Sequence, residues 1–158
     1  MTATRKITEA LIRSKRPSFR FQVYDDTPCT PLSKPLSACR LALITTGGLH
    51  RKDDTPFDLT IKNGDCSFRL LPSTFSRADL LISHRWYNHK FINADLNCVF
   101  PIDRMKEYEE KGIIGSLAPI HVSFMGHIYV ADELERNAEK VGRILKEDNV
   151  HAVFITPT

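Results

Sequence analysis

The chain has 158 residues, of which 42% are hydrophobic and 26% are charged, and its formal net charge is +3. This composition is typical of a soluble globular protein, and the length suits one domain that buries roughly two-thirds of its unfolded surface. No apolar run approaches the ~20 residues that a membrane-spanning helix needs. The sequence therefore predicts no membrane partner.

Positive charge is concentrated in residues 1–20, where Glu9 is the only acidic residue and the basic ones are Arg5, Lys6, Arg13, Lys15, Arg16 and Arg20. No repeated basic and aromatic pattern accompanies them, which favours a solvated arm over a nucleic-acid partner. The arm also lacks the continuous apolar core of a secretory signal. No Cys-x-x-Cys pair occurs, so we expect a cytoplasmic protein with reduced, mostly structural thiols at Cys29, Cys39, Cys66 and Cys98.

The first half of the chain predicts a helix, an extended arm and three strands. Ile7, Ala10 and Leu11 share one helical face, which indicates a helix over residues 4–14. Prolines then punctuate an extended arm that runs to residue 38. Residues 41–44 are a short apolar run bounded by turn formers, which is typical of a strand buried on both faces of a parallel sheet. A long polar loop and two further strands are predicted over 51–65, 66–71 and 78–83.

The second half predicts two helices and a final strand. Pro101 and Asp103 mark a helix start, and Gly112 is its predicted end. The strongest helix prediction covers 132–147, where one continuous apolar face is formed by Leu134, Ala138, Val141 and Leu145. A tight turn then leads into an apolar strand over 150–155.

These elements predict an α/β fold with a mostly parallel sheet flanked by helices, in a Rossmann-like three-layer arrangement. The segments 41–45 and 150–156 are apolar throughout, so we expect them to be neighbours in the sheet interior, each buried on both faces. All 158 residues are expected to form a single α/β domain. Within it, residues 1–38 form the helix and proline-rich arm and residues 39–158 form the core.

Several common catalytic motifs are missing. Residues 45–48 lack the third glycine of a dinucleotide-binding fingerprint, and no Walker-type phosphate loop or Gly-x-Ser-x-Gly elbow occurs. His84 and His89 are five residues apart, which places them on different faces of a helix or strand. His121 and His127 fall in a stretch whose Gly126 argues for a loop. We therefore expect no metal and no bound cofactor.

Polar and flexible residues nevertheless gather where apolar runs end. In an open α/β sheet, ligands bind beyond the carboxyl ends of the strands. We therefore expect His50, His84 and His127 to line one cleft with Thr45 and Thr46. The alternative is that these residues have a structural role only, forming turns and backbone contacts without a ligand. The full set of candidate substrate-binding residues is Thr45, Thr46, Gly47, Gly48, His50, His84, Ser123, Met125, Gly126, His127, Thr156 and Thr158.

The same motifs carry a family resemblance. Residues 41–50 (Leu-Ala-Leu-Ile-Thr-Thr-Gly-Gly-Leu-His) resemble the opening of the selenoprotein B subunits of glycine, sarcosine, betaine and D-proline reductases. Residues 95–97, 100–104 and 112–117 are similar to the central block of that family. Residues 123–126 resemble its short branch, and residues 150–158 resemble its last conserved strand. The resemblance spans about residues 20–158.

In that family the last strand is followed at once by selenocysteine or cysteine. The resemblance therefore implies a selenol- or thiol-dependent reductase that cleaves a carbon–heteroatom bond in a small molecule. Its nucleophile is expected at the position after Thr158, so the 158-residue form is expected to be inactive. The implied partners are a small-molecule substrate and a thiol electron donor such as a thioredoxin-like protein, and a homo-oligomer is allowed. The alternative is a non-catalytic small-molecule-binding or subunit-interaction module.

Overall fold

The computed structural model of the chain describes residues 3–15, 17, 19–21, 23, 25–27, 29–85, 87–129 and 131–158. The chain divides into two compact units, Met1–Pro31 and Leu32–Thr158. The first unit contains helix α1 (Ala3–Lys15), which confirms the predicted N-terminal helix. The division into an arm over 1–38 and a core over 39–158 stays a prediction.

The second unit contains the sheet and the remaining helices. Both predicted helices of the second half are confirmed, and none of the described helices is long and apolar enough to cross a membrane. In chain order the elements are β1 (Arg40–Thr45), β2 (Leu49–Arg51), β3 (Phe68–Pro72), β4 (Leu80–Ile82), α2 (His89–Ala94), α3 (Ile102–Glu110), β5 (Ser116–Leu117), β6 (Ile120–Phe124), α4 (Ala131–Glu147) and β7 (Ala152–Thr156).

β1 is the central strand of a five-stranded sheet. It pairs in parallel with β5, β6 and β7, whereas β3 pairs antiparallel with β6. Successive residues of a strand direct their N–H and C=O groups to opposite edges. The Leu41 carbonyl therefore faces the β5 side, and the Arg40 carbonyl faces the β7 side. The predicted α/β fold with a mostly parallel sheet is confirmed, and β2 and β4 form a separate antiparallel pair.

Apolar side chains pack on both faces of β1. Leu43 on one face belongs to the same core cluster as Met105 of α3. Ala42 on the other face packs in a second cluster with Val141 and Leu145 of α4. Leu43 and Ala42 have no exposed surface, which confirms the prediction that residues 41–44 include a strand buried on both faces. Burial of apolar surface is the main favourable contribution to folding, so β1 organises the core.

The prediction for the final strand is partly wrong. β7 is the neighbour of β1, as expected, but it is not buried on both faces. Val153, Phe154 and Ile155 are 39%, 43% and 59% exposed. Burial would require a strand at the free edge of β7 and a layer over its faces. Among the described residues of the second unit no strand pairs with that edge, and Ala152 is the one residue of β7 that packs against a core cluster.

Three smaller predictions are corrected. The loop predicted to begin at residue 51 begins later, because residues 49–51 form β2, which pairs with β4. His121 lies in β6 and not in a loop. Ala138 of α4 is exposed, while the neighbouring Asn137 is buried and donates a hydrogen bond from its amide to the Cys66 carbonyl at 2.9 Å. Asn137 therefore lies on the buried side of the helix because its amide has a partner there.

His121 completes the hydrogen bonding of β1. The chain that pairs with β1 bulges between β5 and β6, and opposite this bulge the Leu43 N–H donates to His121 Nδ1 at 3.1 Å. Because Nδ1 accepts this bond, the imidazole proton lies on Nε2. The ring makes an edge contact with Phe100, at 5.7 Å between centroids. Burial, followed by the nearby charge of Lys106, lowers the pKa of His121 to about 4.

This burial predicts a pH-dependent loss of stability. The pKa of His121 is lowered to about 4 in the folded chain, whereas an unfolded histidine takes up its proton near pH 6.5. The unfolded state therefore binds more protons as the pH falls from about 6.5 to about 4, and the free energy of unfolding decreases over that range. The expected decrease from this residue is about 3 kcal/mol.

The measurement is urea unfolding at several pH values between about 7 and 4.5, with the wild type compared with His121→Gln. The glutamine variant keeps an acceptor but cannot titrate, so we expect its stability to fall less steeply. His151→Gln is the matched control, because the exposed His151 ring accepts a similar bond from the Arg40 N–H at 3.0 Å. An equally steep decrease in His121→Gln and in the wild type would contradict this assignment.

Candidate functional site

The carboxyl ends of β1 and β7 are joined by threonine hydroxyls. Thr45 Oγ1 donates to the Val99 carbonyl at 2.7 Å and accepts from the Gly47 N–H at 3.1 Å. Thr156 Oγ1 donates to the same Val99 carbonyl at 2.6 Å. Both strand ends are therefore fixed to the segment that precedes α3. Because Thr45 is fully buried and both of these bonds use its hydroxyl, its observed role is structural.

A second threonine pair lies beyond the strands. The Thr158 N–H donates to Thr46 Oγ1 at 2.9 Å, and Thr158 Oγ1 donates to the Thr46 carbonyl at 3.0 Å. The two hydroxyl oxygens are 3.1 Å apart. Thr158 is exposed and Thr46 is half-buried, so this pair borders solvent. The chain that follows β7 is thereby held against the loop that follows β1.

Two glycines allow the loops after β1 and β6 to approach their neighbours. At Gly126 a Cβ atom would lie 2.9 Å from the Thr46 carbonyl and 3.1 Å from His84 Nε2. At Gly48 a Cβ atom would lie 2.5 Å from the Ser83 carbonyl. Both residues have positive φ, of +55° and +67° respectively, which residues with a side chain rarely adopt. The contact between residues 46, 84 and 126 therefore requires glycine.

His84, Tyr87 and His89 form a row of aromatic rings, in tilted and edge-on contact, beside these loops. The Tyr87 ring lies 4.7 Å from the His84 ring and 4.8 Å from the His89 ring. The Tyr87 hydroxyl donates to the Gly47 carbonyl at 2.8 Å. Burial raises the pKa of Tyr87 to about 12, so the hydroxyl stays protonated and remains a donor. Burial, followed by the nearby His127 and His89, lowers the pKa of His84 from its usual value.

His127 and His50 have different surroundings. His127 lies close enough to His84 to influence its pKa, and its Nε2 is 2.8 Å from the Tyr129 hydroxyl. His50 is buried, its Nε2 is 2.9 Å from Ser83 Oγ, and its Nδ1 is 2.9 Å from the Arg51 carbonyl. The structure thus brings His84 and His127 to the threonine loops. His50 connects to them through Ser83, the residue before His84.

The remaining candidates are more deeply placed. Ser123 and Met125 are buried, at 0% and 4% exposure, so they lie beneath the loops and not at the surface. Cys39 and Cys66 are also buried, and burial with the nearby charges of Glu133 and Asp65 raises the pKa of the Cys66 thiol. Within the described residues no three His, Cys, Asp or Glu side chains could hold a metal ion together. The assignment of all these candidates to a substrate site stays a prediction.

Sequence reasoning missed Tyr87, His89 and Val99. Tyr87 lies in a polar and aromatic stretch with no periodic pattern, so nothing marked its hydroxyl as a partner of Gly47. The role of Val99 comes from its carbonyl group, which carries no residue-type signal. The five-residue spacing between His84 and His89 does not by itself indicate that their side chains are close. They are brought together because the Tyr87 ring contacts both imidazole rings, which the sequence does not show.

We expect Gly126→Ala to destabilise the chain by roughly 1–3 kcal/mol, because the new methyl group would meet Thr46 and a positive φ would be forced on alanine. Gly142→Ala is the matched control. Gly142 lies in α4, and apart from the adjacent backbone of the helix no atom lies within 4 Å of the place that an alanine methyl group would take, so alanine there should raise helix stability by about 1 kcal/mol. Urea unfolding measures both changes, and His84 imidazole NMR signals should shift only in Gly126→Ala. Equal stability of the two variants would show that this loop contact is loose.

Sequence comparisons give this chain a family. A profile described as glycine/sarcosine/betaine reductase selenoprotein B matches residues 17–158. The chain is 40% identical over 128 residues to the D-proline reductase subunit gamma of Acetoanaerobium sticklandii, covering 80% of this chain and 52% of that protein. It is 30% identical over 140 residues to the sarcosine reductase complex component B subunit beta of Peptoclostridium acidaminophilum, covering 86% and 32% of the two chains.

A glycine reductase complex component B subunit gamma from Symbiobacterium thermophilum is 29% identical over 138 residues, covering 85% of this chain and 32% of that protein. The chain thus spans about half the length, or less, of these curated relatives. No solved structure gives a significant match. The resemblance inferred from the motifs is confirmed, and the chain belongs to the glycine/sarcosine/betaine reductase selenoprotein B family.

Proposed function

We propose that this chain carries the substrate pocket of a selenol- or thiol-dependent reductase, with the nucleophile positioned directly after Thr158. The observation that carries the proposal is the pair of hydrogen bonds between Thr46 and Thr158. These bonds hold the chain after β7 at the carboxyl edge of the sheet, where α/β proteins bind ligands. A reactive group attached after Thr158 would start from this same edge.

The residues around that position can bind and orient a small substrate. His84 is a neutral imidazole at neutral pH, because burial and its histidine neighbours lower its pKa. The Tyr87 hydroxyl holds the Gly47 carbonyl and so fixes the loop after β1. Gly126 lets the loop after β6 approach the Thr46 carbonyl. The site therefore offers hydroxyl and imidazole groups in a rigid frame.

The nucleophile would supply reductive cleavage of a carbon–heteroatom bond, in which two thiols of an electron donor become a disulfide and their two electrons and two protons convert the broken bond into a C–H bond and a heteroatom–H bond. D-proline, sarcosine and glycine appear in the names of the relatives. We therefore propose a small amino acid of this kind as substrate. A thioredoxin-like electron donor and homo-oligomer formation stay predictions.

The finer points of fold and location belong to the same proposal. A Rossmann-like three-layer arrangement is supported by the packing of α3 and α4 in separate clusters on opposite faces of β1. A cytoplasmic location is supported by the chemistry, since a selenol or thiol nucleophile must be kept reduced. Selenocysteine at the reactive position is supported by the description of the family.

The test places a thiol after Thr158 and measures its reactivity. A cysteine followed by three glycines is appended to the chain, so that the terminal carboxylate stays away from the thiol. Exposed Cys29 and Cys98 are replaced by serine to remove their background reaction. We expect iodoacetamide to react with the appended thiol well below pH 8.5, the usual pKa of a free cysteine, because hydrogen bonds from nearby hydroxyl groups favour a thiolate.

The matched control is the same appended chain with Thr46→Val, which removes the hydroxyl but keeps the shape of the side chain. Its appended thiol should react like a free cysteine. An ordinary thiol in both proteins would contradict the reductase proposal and favour the alternative of a non-catalytic binding or interaction module. A fast-reacting thiol below pH 7 in the unmodified chain would place the nucleophile among the existing cysteines. Cys98 is the first of these to consider, since it lies ahead of the start of α3, at the positive end of that helix dipole.

A further inference from the structure

The free edge of β7 is an apolar feature of the described surface that the proposed site leaves unused. β7 pairs in parallel with β1 through residues 152–156 and with no other described strand. Its three central side chains are exposed, with Ile155 at 59%. Val153 and Ile155 point to one face of the sheet and Phe154 points to the other, because side chains alternate along a strand. Both faces and the edge are therefore open.

The opposite edge of the sheet, formed by β3, has features that protect it from pairing with another strand. β3 pairs only with β6 among the described strands, and it contains Arg69 and ends at Pro72. Charged residues and proline are the devices by which proteins prevent unwanted strand pairing at a sheet edge. Leu71 of β3 is fully buried, so this strand also has a covered face. β7 has no charged residue and no proline, since its sequence is Ala-Val-Phe-Ile-Thr, and none of its five residues is fully buried.

The helices described in the second unit leave the central residues of β7 uncovered. Val141 and Leu145 of α4 pack with Ala42 and Val122, which belong to β1 and β6. On the other face, Ala152 is the one residue of β7 that packs against the cluster that includes Met105. Parallel strands are almost always covered on both faces by helices of crossover connections. An occupant of this surface must therefore supply helical cover as well as a strand.

We propose that a β-strand pairs with the free edge of β7, and that this strand belongs to the part of the reductase subunit that this chain does not match. The D-proline reductase subunit gamma matches this chain over only 52% of its length, so the remainder is long enough for further strands and helices. A second copy of this chain fits less well. It would pair the two edges but would leave Val153, Phe154 and Ile155 without helical cover.

This inference uses family membership and the exposed strand, and it does not depend on thiol chemistry. The probe is the part of the A. sticklandii D-proline reductase subunit gamma outside the matched 128 residues, produced as a separate polypeptide together with this chain. We expect the two to purify as a 1:1 complex by size-exclusion chromatography with light scattering. Hydrogen exchange at the amides of residues 152–156 should slow in the complex.

Two variants and a matched control test the location. Ile155→Lys and Phe154→Lys place a charge on either face of β7, and each should reduce the recovered complex at least about tenfold, since lysine at a strand edge disfavours pairing. Leu70→Lys is the control, because Leu70 is 36% exposed on the opposite edge strand, β3. It should leave the complex unchanged. Circular dichroism verifies the fold of each variant, and the hydrogen-exchange result needs no variant.

Three outcomes would overturn the proposal. The first is that no complex forms and the exchange of the β7 amides stays fast. The second is a complex that survives both lysine substitutions in folded variants. The third is a dimer of this chain alone that Ile155→Lys dissociates, which would make a second copy the occupant. None of these results alters the reactivity of a thiol placed after Thr158, so failure here is distinct from failure of the proposed reductase function.

Discussion

The structure depends on satisfying the backbone polar groups of β1. This strand is buried on both faces, and a buried N–H or C=O group without a partner costs about as much as a lost hydrogen bond. β5, β6 and β7 supply most of the partners. At two points imidazole rings supply them instead, since His121 accepts from Leu43 and His151 accepts from Arg40. Two of the six histidines of the chain therefore have a structural explanation.

The same requirement shapes the candidate site. The Val99 carbonyl accepts hydrogen bonds from Thr45 and Thr156, which end the two adjacent strands. The loops after these strands are then joined by Thr46 and Thr158. The polar residues at the carboxyl edge of the sheet thus have two roles, one structural and one at the solvent-accessible surface. The inner pair of threonines fixes the strands, and the outer pair borders solvent, where a ligand can reach it.

Burial also decides the charge of this region. His84 and His121 both have lowered pKa values, with desolvation as the largest cause in each. Tyr87 is kept protonated by burial, which raises its pKa to about 12. Near neutral pH, His84 and Tyr87 beside the threonine loops are therefore a neutral imidazole and a neutral phenol. Such a site would stabilise an anionic nucleophile or substrate through hydrogen bonds and not through a fixed positive charge.

The sequence by itself determined the family, the long helices and the buried central strand. The continuous apolar run at 41–44 and the periodic helical face around Val141 and Leu145 are both strong signals, because each depends only on residue types along a single element. The motifs from residue 41 to residue 158 were enough to indicate the selenoprotein B family. They also placed the candidate polar groups at the ends of strands, where Thr46 and Thr158 meet.

Only the tertiary structure decided which of those groups are available and which strand lies at the edge. Thr45 and Thr46 are adjacent and chemically identical, yet the first is fully buried and bonded to Val99 while the second borders solvent. β1 and β7 are equally apolar in sequence, yet only β1 is enclosed, because enclosure depends on which other elements pair and pack with a strand. Hydrophobicity records a tendency to be buried. The burial itself depends on partners distant in the sequence, or on another chain.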